Sequence, residues 1–415
     1  MLNVENLAPP RIARFMPLTE ADQAPVQTVR CSRPSASHQQ AYKDLSDYGE
    51  ISDEEQRHWW HSVGPMFAEM LDMTGYSQAD QRTHLHVFQN CVVPFLGAYP
   101  RNDRPRWMSI LTRYGTPFEL SLNCNDSVVR YTYEPIDHAT GTAADPFNTH
   151  AIWGALKKLM ALDPTVNTEY FCHFKRDLTL SPLESDLLRD NQLARSDIMT
   201  QNKLALDLNA DGHFVVKTYI YPALKARATG QSTQNLIFNS VRSLTVGQPN
   251  VTAALGMLED YVNSQAHKGT AQPRLLSCDL VDPSKSRIKI YISEQVVSLA
   301  ALREMWTLGG RRNDPVNQAG FLLIQELWDL LRIPEGLRSY TEGYMPLGSM
   351  PGTDELLPGM ANYTLHPDCP FPEPQVYFAV FGMKDMAIAD ALTVFFERHG
   401  WHDIARKYTD SLKAY

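Results

Sequence analysis

The sequence predicts an α+β protein: a closed antiparallel β-barrel with a polar lumen, surrounded by α-helices. Three observations carry this. Strand-like segments come in pairs joined by turn residues, with helical stretches between the pairs, about four times over. The strands read with period two, apolar on one face and polar on the other. The polar faces also repeat one set of side chains: Lys217, Tyr219 and Tyr221 share a face of segment 215–221, and Arg287, Lys289 and Tyr291 alternate with Ile288, Ile290 and Ile292. Helices cover the apolar faces, which leaves the polar ones to the lumen.

In chain order, residues 1–45 are polar and carry Pro9, Pro10, Pro25 and Pro34, the composition of a loosely ordered leader. Residues 46–415 show no linker and read as one barrel domain. A helix starts at Ser52, where Ser52 and Glu55 suggest a capping box, and stops by Gly75. Residues 84–96 continue the helical layer. Strands are expected at 106–111 and 118–123, joined through Tyr114, Gly115, Thr116 and Pro117, and at 127–133. Helices at 149–162 and 183–189 lead to a hairpin, 203–208 and 213–221, around Asn209, Ala210, Asp211 and Gly212. Helices at 234–243 and 251–264 precede a second hairpin, 274–280 and 287–292, around Asp282 and Pro283. Further helices at 299–307 and 316–331 precede a strand pair at 361–365 and 375–380, and the chain ends on helices at 384–399 and 401–412.

A chain of 415 residues with 43 % hydrophobic content can bury a large core. Its net charge of −9 argues against general nucleic-acid binding, which needs a basic face. A local basic site in an acidic protein suits a small anion. The six cysteines show no CxxC pair and read as reduced thiols of a cytosolic protein. No apolar run is long enough to span a membrane, and the N-terminus lacks a signal core.

The polar strand faces present Glu119, Ser121 and Asn123; Arg130; Lys203 and Asp207; Lys217, Tyr219 and Tyr221; Arg287, Lys289 and Tyr291; and Gln375 and Tyr377. Singly, such stripes are ordinary solvent faces. Together they repeat Arg or Lys beside Tyr, with few acids among them. Gathered in one lumen, like charges repel unless an anion sits between them, and a diphosphate suits them. Tyrosine π-faces beside it stabilise a carbocation and keep water away. The phosphate-loop, dinucleotide, nucleophile-elbow and zinc-helix motifs are absent, as is the DDxxD that holds a diphosphate through Mg²⁺. The thirteen histidines lack metal-ligand spacing, and His58 and His61 read as packing or surface residues.

TPFELSLN, VVRYTYEP, QNKLALDL, VVKTYIYPALKA, RIKIY, PEPQVYF and the terminal ADALTVFFERHGWHDIARKY carry a resemblance over residues 50–415. In order and approximate spacing the chain resembles the fungal aromatic (indole) prenyltransferases of the dimethylallyltryptophan synthase family. The resemblance implies a barrel of ααββ repeats and metal-independent transfer of a dimethylallyl group from dimethylallyl diphosphate to an indole, in secondary metabolism. It implies that Arg130, Lys217, Arg287, Lys289 and Gln375 hold the diphosphate, and that Tyr219, Tyr291 and Tyr377 shield the allylic cation. Glu119 accepts the indole N–H, and Lys203 is the base, its pKa lowered by cationic neighbours. Ile110, Leu111, Tyr221, Arg274 and Met360 shape the acceptor pocket, with Arg274 on a tryptophan carboxylate.

Plainer roles compete. Lys203 pairs with Asp207, Glu119 with Arg130, Arg274 is solvated, or Met360 only packs. The acceptor is tryptophan or a relative, with tyrosine, a cyclic dipeptide or another indole or phenol as alternatives. A barrel that binds an anionic aromatic ligand without turnover is the alternative from another class. No resident cofactor, nucleic acid or membrane is expected, and a homodimer is allowed. The family usually continues past the terminal helix into another strand pair, whereas this sequence stops at Tyr415: either the barrel is short of its last strands or a tail follows.

Overall fold

The computed structural model describes residues 2–3, 39–48, 51–101, 105–123, 126–190, 199–265, 268–339 and 356–413. The chain begins with β1 (Leu2–Asn3) and three helices, α1 (Gln40–Tyr48), α2 (Glu54–Met73) and α3 (Gln78–Val87). Helix α1 begins within the stretch expected to be a leader; residues 4–38 of that stretch lie outside the described ones. Asp53, not Ser52, caps α2 by accepting the Gln56 N–H at 2.9 Å. Its carboxylate is the better acceptor at a helix N-terminus, so the helix starts one residue later than expected. The helical path continues past α3 to Phe95 as a π-turn and a tight 3₁₀ turn.

Then come β2 (Phe118–Asn123) and β3 (Val128–Tyr133), and α4 (Ala151–Leu162), α5 (Glu169–Leu178) and α6 (Pro182–Asp190). A hairpin of β4 (Asn202–Leu208) and β5 (Phe214–Ile220) leads to α7 (Ala223–Thr229), α8 (Thr233–Leu244) and α9 (Pro249–Gln265). The next pair, β6 (Ala271–Asp279) and β7 (Ile288–Glu294), is followed by β8 (Val296–Val297), α10 (Leu299–Thr307), α11 (Pro315–Leu331) and β9 (Gly336–Leu337). The last pair is β10 (Gly359–His366) and β11 (Cys369–Phe378), before α12 (Asp385–Arg398) and α13 (His402–Lys413). No helix among the described residues is long and apolar enough to cross a membrane.

Nine strands form one antiparallel sheet in the order β1-β11-β10-β7-β6-β5-β4-β3-β2, and β8 and β9 form a small ribbon. The expected closed barrel is not what the described residues form. β2 and the two-residue β1 are the sheet's two ends, and no ladder joins them. Closure needs a strand bonded to the outer edge of β2, and none of the described residues supplies one.

The expected strand at 106–111 is a loop of turns. Its residues do not alternate, and its polar groups are bonded elsewhere: Ser109 N–H to Gly115 O at 3.1 Å and Trp107 Nε1 to Glu134 at 2.9 Å. Gly115 takes a φ of 73° there, a conformation that suits glycine.

The apolar strand faces look outward, as the period-two reading requires. Leu204, Leu206 and Leu208 of β4 and Ile288, Ile290 and Ile292 of β7 are almost wholly buried in the core between sheet and helices. The histidines of α2 behave as packing residues: His58 stacks on Tyr99, and His61 Nδ1 meets Tyr42 OH at 2.8 Å. Cys91, Cys172, Cys278 and Cys369 are free thiols.

Candidate active site

Strand register decides which side chains meet. One row across the sheet runs Glu119, Thr132, Ala205, Lys217, Asp279. The next runs Lys203, Tyr219, Ser277, Lys289, Thr364. Beyond it lie Leu275, Tyr291, Asn362 and Gln375, and then Ser293, Met360 and Tyr377. The sheet thus gathers onto one face the polar residues that the strand pattern had selected from six different strands. Arg287 stands just before β7, its carbonyl accepting the Asp279 N–H at 3.4 Å.

The cations are interleaved with carboxylates, which corrects the expectation of few acids. Asp207 receives Arg130 through Nε and Nη2, the second at 3.0 Å, and Lys217 Nζ at 2.6 Å. Asp279 lies 3.7 Å from Lys217 Nζ and accepts Arg287 Nε at 2.7 Å. Burial alone would raise both aspartates; Lys217 with Arg130, and Lys217 with Arg287, outweigh it and hold them below the ordinary carboxylate value. With Lys289, four cations share a mostly buried face with the carboxylates of Asp207 and Asp279, and Glu373, in the Lys289–Thr364 row, also feels Lys289 and Arg287. Lys289 Nζ donates to Gln375 Oε1 at 3.2 Å. Asn362 Nδ2 reaches the same oxygen at 2.9 Å and Tyr377 OH at 2.8 Å, so Asn362 ties the cations to the tyrosines. Its position and that of Asp279 follow from register, which is why the sequence reading passed over both.

The tyrosines form a ladder. Tyr219 and Tyr291 have ring centroids 6.0 Å apart, and Tyr291 and Tyr377 6.1 Å. Tyr221, Leu275 and Met360 join this apolar cluster, so Met360 packs against the ladder itself. Lys203 Nζ sits 5.2 Å from the Tyr219 ring centroid and 5.1 Å from that of Tyr221. Burial brings its pKa down to about 8, while Glu119 and Glu134 pull the other way. The lowering therefore comes from desolvation and not from cationic neighbours, which reverses the expected cause. Asp207 pairs with both Arg130 and Lys217.

Arg274 lies at a register shift between Pro273 and Leu275, half-buried, with its Nε donating to Ser293 Oγ at 2.9 Å. Proline has no N–H for the ladder, and the bulge it leaves turns Arg274 toward the Tyr291 face. Ile110 and Leu111 sit on the loop before β2, Ile110 exposed and Leu111 half-buried. A cavity of about 400 Å³ lies elsewhere, lined by Glu55, Trp107, Pro117 and His138, and none of the expected site residues lines it. Among the described residues, no three His, Cys, Asp or Glu side chains come together as metal ligands.

A family model described as tryptophan dimethylallyltransferase matches residues 55–411. A tryptophan dimethylallyltransferase of Arthroderma otae is 55 % identical over 92 % of this chain and 85 % of its own length. One from Claviceps purpurea is 51 % identical over 88 % and 83 %. Among solved structures, AnaPT from Neosartorya fischeri matches with a TM-score of 0.79 at 29 % identity, over 90 % of this chain and 89 % of its own. NotF, solved in complex with brevianamide F and DMSPP, matches with a TM-score of 0.76 at 31 % identity, over the same shares.

Proposed function

Since the chain belongs to the tryptophan dimethylallyltransferase family, we propose that it transfers a dimethylallyl group from dimethylallyl diphosphate to the indole ring of tryptophan or a tryptophan-derived substrate. The observation that carries the reading is the tyrosine ladder running from Lys203 past Tyr219 and Tyr291 to Tyr377, beside four cations on one face.

In this reading Arg130, Lys217, Arg287 and Lys289, with Gln375, receive the diphosphate. The allylic C–O bond breaks heterolytically, and its electron pair leaves on the diphosphate oxygen. The net positive charge of the cluster stabilises that developing charge in a water-poor site. Asp207 and Asp279 keep the cations apart and aimed before the substrate arrives, so little reorganisation remains for the transition state. The dimethylallyl cation lies against the faces of Tyr219, Tyr291 and Tyr377, which stabilise it and exclude water. An indole carbon supplies the pair for the new C–C bond. Glu119 accepts the indole N–H and raises ring electron density. The proton on the attacked carbon passes to neutral Lys203 Nζ, and the ring regains aromaticity. With a pKa of about 8, roughly a tenth of Lys203 is neutral at pH 7.

In this reading Arg274 takes the carboxylate of a free amino acid, and the named relatives favour tryptophan as acceptor. The cation cluster does the work of a metal, so the reaction proceeds without one. The protein acts in the cytosol, needs no membrane or nucleic acid, and sizing of the purified protein decides between monomer and homodimer.

The test is a product assay by mass spectrometry with dimethylallyl diphosphate and EDTA, offering tryptophan, tyrosine and a tryptophan cyclic dipeptide separately. Tryptophan gaining one C5H8 unit supports the whole reading. Product only on the cyclic dipeptide removes the role given to Arg274, product only on tyrosine keeps that role and replaces the indole by a phenol, and tight binding without turnover favours a carrier.

A further inference from the structure

Glu134 stands one residue beyond β3 and is fully buried. Trp107 Nε1 donates to its Oε1 at 2.9 Å and Asn148 Nδ2 to the same oxygen at 3.3 Å. Thr200 Oγ1 donates to Oε2 at 2.6 Å, and the Ser109 hydroxyl also bonds the carboxylate. Two of these donors pass the carboxylate's hold on to the loop before β2. Thr200 Oγ1 accepts the backbone N–H of Ile110 at 3.0 Å, and Ser109 Oγ accepts that of Leu111 at 3.2 Å. Thr200 also leads directly into β4 and Lys203, whose charge feels Glu134. Burying a carboxylate is expensive unless every lone pair is engaged. Here the four donors come from three separate segments, and two of them fix adjacent residues of one loop.

We propose that Glu134 is a positioning residue for the acceptor: through Thr200 and Ser109 it clamps the Ile110–Leu111 backbone against β4, and so sets which indole carbon faces the cation. This rests on the reading of Ile110 and Leu111 as acceptor contacts. A packing role alone would leave product identity unchanged once the protein folds. A positioning role would not, because small displacements of a reacting ring cost large factors in rate.

The experiment compares Glu134→Gln, Thr200→Val and Thr200→Ser with the wild type, using tryptophan and dimethylallyl diphosphate. Glu134→Gln and Thr200→Val should raise KM for tryptophan about tenfold, leave KM for the diphosphate within about twofold, and spread product over more than one ring position by NMR. Thr200→Ser should restore the wild-type values. A folded variant with unchanged tryptophan KM and a single product overturns the proposal, as does an equal rise in both KM values. If Glu134→Gln does not fold, Thr200→Val decides. Leu111→Ala is the control for the reading beneath: if it moves neither KM nor product, the acceptor assignment fails and this inference with it.

Discussion

Replacing Lys203 with methionine separates the cost of burying this amine from its use. Burial moves Lys203 from its ordinary 10.5 to about 8, against the pull of Glu119 and Glu134. A tenfold change in proton affinity is about 1.4 kcal/mol, so the fall costs about 3 kcal/mol of folding stability at neutral pH. The unfolded chain keeps its lysine proton up to the ordinary value, and the folded chain releases it near 8. Between those values the unfolded state binds more protons, so stability rises with pH, and the full penalty is present below about 8. Methionine removes the charge and keeps the volume. It gives up the contacts of the ammonium with Tyr219 and Tyr221, worth about 1 kcal/mol. The Lys203→Met variant should therefore be about 2 kcal/mol more stable than the wild type at pH 7. The gain should shrink between pH 8 and 10. Prenyl transfer should fall by a factor on the order of 10²–10⁴. Thermal melts across that range, beside initial rates by liquid chromatography, measure both. A variant that melts lower at pH 7, or a gain that ignores pH, refutes the burial account. A near-wild-type rate removes Lys203 as the base.

Four further substitutions, at three positions, test the rest of the face. Asp279→Asn unbalances Arg287 and Lys217 and should cost about 3 kcal/mol, read by chemical denaturation at pH 7. Because the Asp207 and Asp279 pKa values lie below the ordinary one, their contribution is full above about pH 4 and is lost as pH falls through their folded values. The stability gap between wild type and Asp279→Asn should accordingly narrow on acidification. Asn362→Leu leaves Gln375 and Tyr377 without this donor; stability should fall by about 2 kcal/mol and KM for the diphosphate rise, as steady-state kinetics would show. Tyr291→Phe keeps the π-face and should stay within a few-fold of wild type, whereas Tyr291→Leu should lose about tenfold in transfer and release more dimethylallyl alcohol, quantified by gas chromatography.

What the sequence made legible was whatever a short period encodes. β2 occupies the residues expected of it, and the β4–β5 hairpin turns where Asn209 to Gly212 placed it, Gly212 taking a φ of 81°. The face shared by Lys217, Tyr219, Lys289, Tyr291 and Tyr377 follows from alternation alone. Helices α5 and α7 were missed. α5 does carry a helical stripe in Tyr170, Phe171, Phe174 and Leu178, but α7 is a short run beside a strand with one buried apolar residue. Residues 106–111 read as a strand because they flank the Tyr114–Pro117 turn opposite 118–123, but tertiary bonds to Glu134 and Thr200 hold them as a loop. Pairings between strands were the least legible. That Asp207 serves Arg130 and Lys217, and that Asp279 serves Lys217 and Arg287, depends on register across β3 to β7. The low pKa of Lys203 comes from burial, which local sequence does not carry.

The most direct test of the central claim is a crystal structure of the protein with tryptophan and an unreactive thiolo analogue of dimethylallyl diphosphate. The account expects the diphosphate oxygens within hydrogen-bond reach of Arg130, Lys217 and Lys289, the prenyl chain against Tyr219, Tyr291 and Tyr377, and the indole between that chain and Lys203. Ligands bound instead in the cavity lined by Trp107 and Pro117, or a prenyl chain away from the tyrosine ladder, would contradict it.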